Sequence, residues 1–181
     1  MEIKETNTYK KLKNLPTNNF PEFIVVHHSG GTDLNPLEDT SNHTAQMMEA
    51  YHLSLGWDGL GYQYVIHKNG EIWRGRPEHR NGAHTKDQNA KSIGICLSGN
   101  FDATLPTKEQ INALKWLIDA IKARYTVIGD KIYPHRKFAN KTCYGKLLSD
   151  TWAKDLVIAS LPIPPTLEQK KAEIIKLIQN L

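Results

Sequence analysis

The segment Phe23-Ile-Val-Val-His-His28 constrains the fold of this chain more than any other. Aromatic and β-branched residues crowd into one short run that stops at Ser29-Gly30-Gly31, so it reads as a buried strand entering a loop. Two histidines fall at its C-terminal end, and in a strand successive side chains leave on opposite faces. Only one of His27 and His28 can therefore enter a given site, and the other packs. Ser92 to Leu97, closed by Gly99, is a second compact apolar strand. Tyr62 to His67 and Glu71 to Arg74 flank Lys68-Asn69-Gly70, and Asn-Gly between two such runs signals a hairpin.

Helical spacing fills the intervals. Ala45, Met48, Tyr51, His52 and Leu55 form an apolar stripe that Gly56 would end. Thr107-Lys-Glu-Gln110 has the form of a capping box ahead of Ile111, Leu114, Leu117, Ile118, Ile121 and Tyr125. Residues 133–145 are polar and irregular, and a short helix is predicted over about 149–159. Leu161-Pro-Ile-Pro-Pro165 then breaks the chain, and a second capping-box pattern opens an amphipathic helix carrying Leu167, Ile174, Ile178 and Leu181. The order strand, helix, hairpin, strand, helix predicts an α/β fold. A single domain is expected, with a central mixed β-sheet flanked by helices and function on the loops at strand ends. The expected divisions are an N-terminal extension over 1–22, the domain over 23–160, and a Pro-rich break with its C-terminal helix over 161–181.

With 181 residues the chain is long enough for one domain, and 39% hydrophobic with 23% charged residues is an ordinary globular balance. A net charge of +4 favours an anionic partner, but the basic residues are scattered. No aromatic and basic interleaving supports a nucleic-acid partner. No apolar run approaches the roughly 20 residues that span a bilayer, so no membrane partner is expected. Met1 to Phe20 is polar and lacks the form of a Sec-type signal. Two cysteines are too few for a disulfide framework.

Eight histidines invite over-reading. His27 or His28 alone reads as a hydrogen-bonded structural residue, and Cys143 alone as a small buried hydrophobe. His135-Arg-Lys-Phe-Ala-Asn-Lys141-Thr-Cys143 changes that weighting, because a His and a Cys eight positions apart in a loop can converge on one ion. Imidazole and thiolate donors suit zinc better than a hard, oxygen-preferring cation.

With Ile24-Val-Val-His-His-Ser29, Gly61-Tyr62-Gln-Tyr-Val-Ile66, the Asn69-Gly70 turn, Gly82-Ala-His84, Asn89, Ser92 to Phe101 and His135 to Cys143 in this order, the chain resembles the zinc-dependent N-acetylmuramoyl-L-alanine amidases. That fold is shared by phage lysozyme-type amidases and peptidoglycan recognition proteins, and the resemblance covers about residues 23–156. It implies His27, His135 and Cys143 as ligands of one Zn2+ per chain, with Tyr62 and Lys141 as catalytic residues. Three protein ligands leave one tetrahedral position open, as catalytic zinc requires. The implied reaction cuts the amide between N-acetylmuramic acid and L-alanine, with peptidoglycan as partner. His84, Arg76 and Asn89 match positions near the substrate cleft, and His84 is carried forward as a substrate-binding residue. His43, His52, His67 and His79 have no motif support.

Two departures bear on subclass. Cytosolic muropeptide-recycling amidases resemble this chain but have Asp where Cys143 stands and a catalytic Glu where Cys96 stands. Both differences point to the phage or recognition type, make Cys96 a packed strand residue, and leave the general base open. The family often has Pro-Gly after the cysteine, whereas this chain has Tyr144-Gly145. The implied setting is a phage or prophage endolysin, cytoplasmic until released to the cell wall. The rival is a non-catalytic peptidoglycan-binding protein on the same fold, whose members typically lack the cysteine ligand.

Overall fold

The computed structural model describes residues 1–32 and 34–158. Its sheet has six strands: β1 (Ile3–Glu5), β2 (Phe23–His28), β3 (Tyr64–Ile66), β4 (Ile72–Arg74), β5 (Ser92–Leu97) and β6 (Ile132–Pro134). They lie in the order β1-β4-β3-β5-β2-β6. Every neighbouring pair is parallel except the β3–β4 hairpin, so the sheet is mixed as the sequence predicts. The hairpin turns at Gly70, whose φ of +83° is open to glycine at little cost. Its strands are shorter than the apolar runs, and next to them the Gln63 side chain accepts from the Gly94 N–H at 2.8 Å.

β2 and β5 are buried along their whole length and pair from Phe23↔Ser92 to His28↔Leu97. Strands sealed on both faces need cover on both, which explains their unbroken apolar character. On one face lies α3 (Lys108–Arg124), opened by a capping box in which Thr107 and Gln110 bond reciprocally. Its Leu114, Leu117, Ile118 and Ile121 join Ile24, Val26, Ile93 and Ile95 in the main core. Each aliphatic side chain buried there contributes roughly 1.5–3 kcal/mol. α4 (Trp152–Ile158) packs beside α3. On the other face, α2 (Ala45–Ser54) covers Val65 and Cys96 with Ala45 and Met48.

Two regions depart from the sequence expectation. In α2 the buried face is Ala45, Met48, Glu49 and His52, whereas Tyr51 and Leu55 are exposed. Glu49 turns inward because its carboxylate accepts from the backbone N–H and hydroxyl of Thr8. Thr8 lies in α1 (Asn7–Leu12), within the segment set off from sequence as an extension. That segment adds an edge strand, since β1 pairs with β4 from Ile3↔Ile72 to Glu5↔Arg74. The chain break at 161–165 and the amphipathic helix after it lie outside the described residues. Among the described residues no helix is long and apolar enough to cross a membrane.

Candidate metal centre and cleft

β2 ends and the turn after β6 begins at the same edge of the sheet, because these strands run parallel side by side. The edge therefore receives His27 from β2 and His135 from the short 3-10 turn His135–Lys137. Cys143 arrives from the loop that follows, which Arg136 straps down through the carbonyls of Thr142, Gly145 and Leu148. Asp102 holds the same loop from the far side, accepting from the Thr142 hydroxyl at 2.6 Å and the Lys146 N–H at 2.7 Å. Neither Arg136 nor Asp102 stands out in the sequence, since only the folded loop shows what each bonds.

The donor atoms of His27, His135 and Cys143 all lie within 4.8 Å of one another. Cys143 Sγ is 3.7 Å from His27 Nδ1. Tetrahedral zinc, with its usual Zn–N and Zn–S lengths, sets donors roughly 3.6 Å apart, so the residues present fit the ion. His28 takes the opposite face, as strand alternation requires, and its Nδ1 accepts from the Phe101 N–H at 2.9 Å. Cys96 belongs to the small core under α2 and is outside the donor cluster.

Burial sets the protonation of the cluster. It holds His27 well below the ordinary imidazole range, helped by neighbouring His84 and His135. His135 is lowered by burial and then by the Lys141 charge. Both rings are thus neutral at pH 7, each with a bare nitrogen for a cation. Burial pushes the Cys143 thiol up to about 12, although the His28 N–H directed at Sγ opposes this. The thiolate is accordingly costly here without a cation beside it, and a bound dication would deprotonate it.

The cluster lies in an open cleft of about 650 Å³ whose walls include Trp57, Tyr62, His84, Asp102 and Lys141. That volume is in the range of small-ligand sites. The Tyr62 ring is 5.1 Å from that of His27, and burial followed by the nearby Cys96 and Cys143 thiols drives its pKa well above 10. Lys141 is solvent-exposed on the rim. Trp57, unassigned from sequence, stacks on His52 at 4.5 Å. Arg76 and Asn89 act locally: Arg76 donates to the carbonyls of Leu60 and Asn81, and Asn89 Oδ1 accepts from the N–H groups of His84 and Thr85.

The N-acetylmuramoyl-L-alanine amidase family model matches residues 17–146. Peptidoglycan-recognition protein SC2 of Drosophila melanogaster is 35% identical over 129 residues, covering 70% of each chain. The N-acetylmuramoyl-L-alanine amidase of Sus scrofa is 31% identical over 140 residues, 73% of this chain but 23% of that longer protein. The solved structure of the endolysin N-acetylmuramoyl-L-alanine amidase LysCS from Clostridium intestinale superposes with a TM-score of 0.71 at 30% identity, covering 85% of this chain and 93% of that one. With the family model matching residues 17–146 and relatives agreeing over most of its length, this chain belongs to the N-acetylmuramoyl-L-alanine amidase family.

Proposed function

We propose that this chain is a zinc-dependent endolysin that hydrolyses the amide bond between N-acetylmuramic acid and L-alanine in peptidoglycan. The reading is carried by one observation, the His27–His135–Cys143 donor cluster at an open cleft. The likeness to the LysCS endolysin supports the phage-type setting. In the proposed setting the protein is held in the cytoplasm until release to the wall.

Hydrolysis adds water across the C–N bond, giving the lactyl carboxylate of the sugar and a free amine on alanine. His27, His135 and Cys143 would hold the zinc ion, which when bound would supply Lewis acidity and lower the pKa of water toward neutrality. The Lys141 ammonium stands at the cleft to stabilise negative charge developing on the carbonyl oxygen. Tyr62 is too strongly held in its phenol form to serve as a base at neutral pH, so its hydroxyl orients water or substrate by hydrogen bonding.

Digestion of purified peptidoglycan by the zinc-loaded protein, followed by mass spectrometry with and without chelator, tests this reading. Free stem peptides beginning with alanine are expected, and chelation should abolish them. Stoichiometric zinc and wall binding without stem-peptide release would leave recognition as the function and overturn the hydrolase.

A further inference from the structure

We propose that His84 is a positioning residue for His27, fixing which nitrogen of that ring faces the metal. The inference rests on the zinc reading above and reassigns a residue that the sequence places in substrate binding. His27 presents Nδ1 to the metal side, 3.7 Å from Cys143 Sγ. A neutral imidazole carries one proton, so a ring that offers Nδ1 as a bare donor carries its hydrogen on Nε2. His27 is 2% exposed, and a hydrogen on its buried Nε2 needs an acceptor.

His84 Nδ1 supplies one at 3.1 Å. The Thr85 hydroxyl lies farther from His27 Nε2, at 3.4 Å, and 2.9 Å from His84 Nδ1. His84, Thr85 and His27 thus form a closed triangle behind the metal-facing nitrogen. With Nδ1 accepting, Nε2 carries the hydrogen of His84 and is left buried with no hydrogen-bond partner among the described residues, which is the energetic cost of holding His27 in this tautomer. His84 therefore borders the cleft while offering neither nitrogen to it.

The space around His84 is shaped for this ring. A Cβ on Gly94 would come within 2.5 Å of His84 Cδ2, and a Cβ on Gly82 within 2.7 Å of Nε2. Asn89 fixes the backbone from below by accepting the N–H groups of both His84 and Thr85. A histidine ligand whose second nitrogen is held in this way loses roughly 10- to 100-fold in metal affinity when the holding group is removed.

Zinc affinity of the full chain, measured by competition with a chromophoric chelator, and the absorption spectrum of the Co2+-substituted protein test the role without any assay of activity. His84→Leu is expected to weaken zinc roughly 10- to 100-fold and to alter the cobalt spectrum. His84→Asn, whose Oδ1 can stand near the position of Nδ1, should recover most of both. In the wild-type zinc protein, long-range 15N–1H correlation should show His27 protonated at Nε2, a measurement independent of how well a variant folds. His27 protonated at Nδ1, or a His84→Leu protein with wild-type affinity and cobalt spectrum, would overturn the inference alone. A wild-type protein that binds no zinc would overturn it together with the zinc reading.

Discussion

The Sγ of Cys143 lies 3.7 Å from Nδ1 of His27, across 116 residues of chain. Burial keeps that thiol neutral up to about pH 12 in the absence of a cation, so Cys143 binds metal only by giving up a proton. Cys143→Ala removes the one anionic donor of the cluster. Zinc at 100 times its Kd should raise wild-type stability by about 2.7 kcal/mol. The variant should show no zinc-dependent rise in Tm and no hydrolysis. A zinc-dependent Tm in Cys143→Ala equal to that of the wild type would remove Cys143 from the ligand set.

Tyr62 contributes a hydroxyl to the cleft and no atom to the donor cluster. Tyr62→Phe should accordingly keep wild-type zinc affinity and lose most of its turnover, on the order of 10²-fold for loss of a positioned proton-sharing group. Zinc titration and stem-peptide release are measured on the same preparation. Wild-type turnover in Tyr62→Phe would exclude the hydroxyl from the reaction, and lost zinc would make its role structural.

Much of the site was legible because the sheet places it where strand patterning can be read. Phe23 to His28 announces a buried strand with a histidine pair at its mouth, and alternation separates the pair into two faces. Alternation could not say which histidine faces the metal, because that depends on His135 and Cys143 arriving beside β2. The capping box of α3 was legible for the opposite reason: both of its bonds close within four residues. Glu49 shows where local pattern fails. An acidic residue between Met48 and Ala50 reads as solvent-facing, and only Thr8, 41 residues away, gives it a reason to turn inward. Thr85 and Asp102 escaped notice similarly, since their roles exist only toward His27 and the Cys143 loop.

His52 gives a pH dependence of definite sign. Burial, then the Arg76 charge, lowers its pKa from 6.5 to about 4, and its Nδ1 must stay bare to accept the Gly61 N–H at 3.0 Å. The unfolded chain takes up a proton near pH 6.5, whereas the folded chain resists until about 4. Stability from this group is therefore complete above pH 6.5 and is lost as pH falls toward 4, by on the order of 3 kcal/mol at most. His52→Asn keeps an acceptor but cannot titrate. Its Tm should fall less steeply than that of the wild type between pH 6.5 and 4, and parallel curves would refute the assignment.

Thr8 and Glu49 tie the N-terminal helix to the wall of the cleft. Thr8 is 2% exposed and Glu49 5%; the Thr8 hydroxyl donates to Glu49 and accepts from the Leu60 N–H at 2.8 Å. Leu60 lies between Trp57 and Tyr62, so the hydroxyl connects α1 and α2 to the loop carrying two cleft residues. Thr8→Val keeps the side-chain shape but leaves a buried N–H unpaired and withdraws one donor from a buried carboxylate. The expected cost is about 1–3 kcal/mol, which for a chain of this length lowers Tm by roughly 2–12 °C. The proposed zinc ligands come from β2 and the segment after β6, so zinc affinity should be unchanged. A looser loop should instead appear as a higher KM for peptidoglycan. A variant with wild-type Tm and KM would show that the first helix rests against the domain without organising its cleft, whereas weakened zinc would show that the clamp reaches the metal site as well.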